Sequence, residues 1–314
     1  MLVVLAPLPN YTLWQRRFAG RDGVLAIARD GDAFLRAPDA PTFYSLSHYL
    51  ALGRRGRKDP AGLAYLARMV AVATPPLAAE AADKLADLDD LDERLPPAAT
   101  EWLARAIDDP ARPAALRERT LRLVAEAKLT AVRETVEAQS AAGRALRPQA
   151  LAALASLDGG LDADLVETLL ADADPALRAV AAAHLDGDAV DARLKQLTAT
   201  DPGPGVRTVA ALRLIERARL AALDTALPLL GDEDDSVRSA VARAVAGLGE
   251  AAVDRVAAFA RSGERRAAQG AVLSLSFDGG AGARALLALS EDHPDEAVRA
   301  LATLALGKAG GHSH

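Results

Sequence analysis

From about residue 60 onward, apolar residues return at helical spacing in pairs of short runs, and an acidic turn separates the two runs of each pair. The second run opens with a recurring phrase: Asp, a short gap, an aliphatic residue, Arg, then an apolar stripe. It stands as Asp174-Pro175-Ala176-Leu177-Arg178, as Asp201 with Val206-Arg207, as Asp235-Ser236-Val237-Arg238, and as Asp295-Glu296-Ala297-Val298-Arg299. Less complete copies place Arg117, Arg147 and Arg266, so that the seven arginines are separated by 30, 31, 29, 31, 28 and 33 residues. Seven residues after each stands Val124, Leu154, Leu185, Leu214, Val245, Leu273 or Leu306, all aliphatic and all on one helical face. A weaker copy, Thr74-Pro75-Pro76-Leu77-Ala78, keeps Leu85 at that offset and carries Ala in place of Arg. The first runs read as Leu165-Val166-Leu169-Leu170 or Ala226-Leu227-Leu229-Leu230. Each unit is therefore helix, acidic turn, helix. Neither helix can bury its apolar face alone, whereas stacked neighbours can. The predicted fold is all-α, a solenoid of about eight such pairs over residues 60–310, with 311–314 a disordered tail.

The phrase and its spacing of about 30 residues resemble the HEAT-repeat superfamily, especially short bacterial repeats and those of phycobilisome lyase-like proteins. The resemblance implies HEAT-type helix pairs over roughly residues 60–310. It does not fix a role, because the superfamily hosts scaffolds, transport receptors, lyase subunits and a few enzymes.

The repeated polar residues have structural work to do first. Asp174, Asp235 and Asp295 fall where helix N-caps belong, and Pro175 falls at a first helical position, where its missing donor costs nothing. An Arg in a first turn is badly placed for the helix dipole. Arg117, Arg147, Arg178, Arg207, Arg238 and Arg299 are better explained as rungs of a ladder that bridges to Asp of their own and adjacent repeats. The acidic turns are nonetheless denser than capping requires, as in Asp232-Glu233-Asp234-Asp235 and in Asp292 with Asp295-Glu296. Stacking would gather Asp232, Glu233, Asp234, Asp292, Asp295 and Glu296 into an acidic ridge, a candidate docking edge for a basic protein partner.

Before residue 60 the pattern changes. Tyr11, Trp14, Phe18, Phe34, Phe43, Tyr44 and Tyr49 concentrate there, with Tyr65 just beyond, in a chain with only 4% aromatic residues. Residues 1–59 read as an aromatic-rich amino-terminal cap. Arg29-Asp30-Gly31-Asp32 marks a possible β-hairpin turn, and a helix is expected from Thr42 to Leu52. That helix runs into Arg54, Arg55, Arg57 and Lys58, a basic patch that could grip phosphates; capping is the preferred reading of the segment.

Composition narrows the rest. The 314 residues are 51% hydrophobic and 25% charged, enough to bury a core, and the net charge of −6 offers no global attraction to nucleic acid or anionic membrane. With no cysteine, disulfides, thiolate metal sites and cysteine nucleophiles are absent. No run approaches the ~18 apolar residues of a membrane span. The apolar start is a poor secretory signal, so a cytoplasmic protein is expected. The five histidines, His48, His184, His293, His312 and His314, include no i, i+4 pair and none precedes Glu, so the His-Glu ligand pairs of HEAT-repeat di-iron hydroxylases are missing. No nucleotide-binding or nucleophile-elbow phrase occurs. The expectation is a non-catalytic scaffold or adaptor that holds a protein or peptide, without cofactor, metal, membrane or small-molecule ligand. The alternatives are a lyase-subunit or chaperone-like role, and nucleic-acid binding through the amino-terminal patch.

Overall fold

The computed structural model describes residues 60–278 and 280–310. The expected cap over 1–59, its possible hairpin, the patch Arg54, Arg55, Arg57 and Lys58, and the tail 311–314 lie outside the described residues. Among the described residues every regular element is a helix and there is no strand. The chain divides into two compact units, Met1–Leu161 and Asp162–His314.

In the first unit, α1 (Pro60–Val72) packs on α2 (Pro75–Ala86) and on α4 (Pro97–Asp108); α3 (Leu91–Arg94) is a single turn between them. Helix α5 (Ala114–Glu126) joins α4, and α6 (Arg133–Ser140) joins α7 (Arg147–Asp158). The second helices also pack on each other, α2 on α5 and α5 on α7, which makes a second row behind the first. Leu63, Leu66, Met69, Leu85, Leu103, Ile107 and Leu121 fill the space between the rows and are almost fully buried.

The second unit repeats the scheme with α8 (Ala163–Leu170) and α9 (Pro175–Ala183), α10 (Val190–Thr200) and α11 (Pro204–Ala218), α14 (Glu250–Ser262) and α15 (Arg265–Phe277), and α16 (Gly280–Asp292) and α17 (Glu296–Gly310). Between them, α13 (Asp235–Ala246) packs on a broken partner: a 3-10 turn, the short α12 (Leu223–Ala226), then a 3-10 turn over Leu227–Gly231. Pro228 explains the break, since it has no N–H to give to a helical ladder and disfavours helical geometry at Leu227. Helices α9, α11, α13, α15 and α17 pack in that order into one row. Of the predicted stripe, Leu185, just past the end of α9, Leu214 and Val245 are at most 4% exposed, whereas Leu273 and Leu306 are half-buried.

Candidate functional site

The row of second helices in the Asp162–His314 unit begins with a set of turns built alike. Asp174 caps α9 by accepting from the N–H of Ala176 at 2.8 Å, and Asp295 accepts from Ala297 at 2.8 Å. At α13 the cap is Asp234, which accepts from Ser236 and Val237 N–H at 2.8 and 3.3 Å. Asp235, expected to be that cap, instead lies in the first helical turn, 88% exposed and ion-paired with Arg238. Two residues before each cap stands a second polar side chain that closes the turn. Asp172 Oδ1 accepts from Asp174 N–H, Asp201 Oδ1 from Gly203 N–H and Asp232 Oδ1 from Asp234 N–H, at 2.9, 2.7 and 2.9 Å.

Four residues after the cap stands the ladder arginine. Arg207 donates from Nε and Nη2 to both carboxylate oxygens of Asp232, at 2.8 and 2.7 Å, reaching into the following repeat. Its Nη1 turns back to the carbonyls of Asp201 and Pro202 at 2.9 and 3.2 Å. Arg178 does the same with Asp201, at 3.0 and 2.9 Å, and with the carbonyls of Asp172 and Ala173. Burial alone would raise the carboxyls of Asp201 and Asp232. The bonds from Arg178 and Gly203 N–H to the one, and from Arg207 and Asp234 N–H to the other, outweigh it and hold both below the ordinary range. Arg238 and Arg299 keep the contacts to their own turns, to Asp232 and His293 carbonyls at 2.6 Å each. In the first unit Arg117 donates to the Ile107 carbonyl at 2.7 Å and to Gln139, and Arg147 to the Ser140 carbonyl at 3.3 Å.

The ladder is interrupted at α15. Its cap is Glu264, so the position four residues on is Ala268, fully buried, and not the expected Arg266, which is exposed. The register is two residues later than the sequence suggests, and Leu275, 2% exposed, takes the place expected for Leu273. The position two before the cap is Ser262, where α9, α11 and α13 are preceded by Asp. One repeat later, where the ladder position of the preceding helix is Ala268 and supplies no guanidinium, stands His293, 5% exposed. Its Nδ1 accepts from Asp295 N–H at 3.0 Å, as an Asp would, and its Nε2 is 3.1 Å from the Ala260 carbonyl oxygen. The first bond requires Nδ1 to be bare, which makes Nε2 the donor.

These assignments divide the predicted ridge. Asp232 is committed to Arg207 with only 7% of its side chain exposed, Asp234 to the cap, and Asp295 to its cap and to Arg265 at 2.6 Å. Glu233, Asp292 and Glu296 face solvent. A second set of inter-repeat pairs, unforeseen from the sequence, joins the first helices: Arg193 to Glu167, Arg255 to Asp224 and Arg284 to Glu250. Their spacing along the chain is uneven, which hid them. His184 sits half-buried at the end of α9, where burial and the Arg213 guanidinium hold its imidazole below the usual range. Among the described residues no cluster of three His, Cys, Asp or Glu could hold a metal, and no helix is long and apolar enough to cross a membrane.

No family model matches the chain, and no curated protein matches it. Among solved structures it is similar to human deoxyhypusine hydroxylase in complex with glycerol, at 18% identity over 93% of this chain and 100% of that one, with a TM-score of 0.36. It is also similar to the crystal structure of an engineered protein, at 16% identity over 96% and 94%, with a TM-score of 0.30. The first of these is an enzyme. The expectation that this chain is not one is therefore corrected: it cannot be carried over from the fold. At these scores neither likeness argues for a particular activity.

Proposed function

We propose that the chain is a HEAT-type array of about eight helix pairs that binds another protein, or a peptide segment of one, in the cytoplasm. The observation that carries this reading is the contrast within the row of second helices. The polar turns before α9, α11, α13 and α17 are satisfied within the fold, yet large apolar side chains remain in water, with Leu212 36%, Phe277 48% and Leu304 57% exposed. Single exposed leucines are ordinary. Leu212 and Leu304 occupy the same place relative to their helix caps, and such recurrence marks a surface rather than scatter. Glu233, Asp292 and Glu296 border that row as an acidic edge that would accelerate the approach of a basic partner.

Affinity capture from the native host with the full chain as bait tests the reading. A protein retained in stoichiometric amount, and rebinding the purified chain directly, is the expected result. Absence of any direct binder would overturn it. With the partner in hand, replacing Glu233, Asp292 and Glu296 by Gln, Asn and Gln is expected to slow association at low salt and to leave the melting temperature unchanged.

A further inference from the structure

The protein-binding reading can be taken further at one face of the Asp162–His314 unit. Nine residues after their respective caps, the consecutive helices α11, α13, α15 and α17 place Leu212, Arg243, Leu273 and Leu304. Because these helices pack in that order, the four side chains form a line across the row. Leu212 and Leu304 are exposed and Leu273 is half-buried. Arg243 is exposed, lies 5.7 Å from the centre of the Phe277 ring, and makes no ion pair among the described residues. The line thus reads apolar, cationic, apolar, apolar, with Phe277 beside the cation.

We propose that this line is a docking face for an extended, polyproline-II-like segment of the partner. The segment carries aliphatic side chains at every third residue and a carboxylate at the position facing Arg243. The spacing argues for that conformation. Packed helices lie about 8–10 Å apart. A polyproline-II segment rises about 3.1 Å per residue with three residues per turn, so every third side chain returns to the same face after about 9.3 Å. A β-strand turns every third side chain to the opposite face. A helix returns a side chain to one face only after about seven residues, about 10.5 Å, which overshoots that spacing. Four helices in a line require about ten residues of partner. The charge follows from Arg243: the Phe277 ring supports one face of the guanidinium, and its edge donors remain for a carboxylate in a forked pair.

The test uses the full chain and two fluorescein-labelled decapeptides, Leu-Pro-Ser-Glu-Pro-Ser-Leu-Pro-Ser-Leu and the same order reversed, since either chain direction satisfies the line. A third peptide of the same composition places its Leu and Glu residues at every second position. Anisotropy titration is expected to give saturable binding to one of the first two, with a Kd of roughly 10–100 µM, and at least about tenfold weaker binding to the third. Arg243→Glu, and separately Leu212→Ser with Leu304→Ser, should each weaken the favoured peptide by about tenfold or more at unchanged melting temperature. The proposal falls if neither period-three peptide saturates below about 1 mM, if the third binds as well, or if Arg243→Glu has no effect. A captured authentic partner that binds parent and Arg243→Glu chains alike would remove this face and leave the protein-binding reading standing. Capture of no partner at all would remove that reading by itself.

Discussion

Replacing Arg207 with Ala tests the ladder where its geometry is most complete. Arg207 is 8% exposed, and its guanidinium donates four hydrogen bonds, two to Asp232 and two to turn carbonyls. Its removal strands Asp232, whose side chain is only 7% exposed, as a carboxylate without its cation. Breaking a buried pair from one side costs about 3–5 kcal/mol. Asp232 keeps its bond from Asp234 N–H, which favours the lower end, about 3 kcal/mol. For a unit of this size that corresponds to a fall of about 6–12 °C in melting temperature by calorimetry. Two controls separate this from ordinary side-chain loss. Arg193→Ala removes a pair whose members are 40% and 57% exposed and should cost below about 1 kcal/mol. Asp232→Asn added to Arg207→Ala removes the stranded charge and keeps the turn's acceptor, so the double variant should be more stable than Arg207→Ala alone. Equal melting temperatures for Arg207→Ala and Arg193→Ala, or a double variant less stable than the single one, would refute the ladder.

Four further outcomes are expected. Asp234→Ala should lower the melting temperature, whereas Asp235→Ala should not, which distinguishes the cap from its exposed neighbour. Asp201 and Asp232 have folded-state carboxyls below the ordinary range, so their contribution is complete above about pH 4 and is lost as pH falls below it; an acid titration followed by circular dichroism should show the loss, reduced in Asp232→Asn. Gly270→Ala ought to gain about 1 kcal/mol of helix propensity, yet a methyl there would run into the Leu230 carbonyl oxygen, so chemical denaturation should show a net loss of about 1–3 kcal/mol. His293→Asp should cost about 3 kcal/mol by placing a carboxylate where Ala268 offers no cation, while His293→Asn, which can still accept from Asp295 N–H, should stay within about 1 kcal/mol of the parent.

The helix pairs were legible because a stacked array writes the same contact once per repeat, so at α9, α11 and α13 the Arg spacing and the aliphatic positions seven residues on report packing directly. The capping of α9 and α17 was legible for the same reason. Asp234 and Asp235 were not separable, since both can cap and only the backbone angle at the helix start decides between them. The division of the ridge was hidden more deeply. Whether Asp232 faces water or Arg207 depends on how one repeat seats on the previous one, a contact 25 residues distant in the chain. At α15 the sequence misled, because Arg265 and Arg266 offer cations near the expected spacing while the helix cap, Glu264, sets a register two residues later. The line through Leu212 and Leu304 became visible only once the caps had fixed the register.

The gap at α15 shows that the row does not need an ionic rung at every step. Between α9 and α13, guanidinium-carboxylate pairs span neighbouring repeats at Arg178–Asp201 and Arg207–Asp232. At α15 the same positions are Ser262 and Ala268, and close backbone contacts join this helix to its first-row neighbours. Gly270 lets α15 settle against the backbone of Leu230, and Gly282 lets α16 settle against that of Leu275, both closer than any side chain would allow. Once the cation is gone, a carboxylate at 293 loses its partner, and a neutral imidazole that accepts from the same turn N–H and donates to the Ala260 carbonyl preserves the turn without burying a charge. Ser262, Ala268 and His293 therefore mark one place in the row where neutral contacts stand in for the ionic rung. Restoring a single member of the ionic rung should be more harmful than its chemistry alone implies, because its ladder partner is absent here.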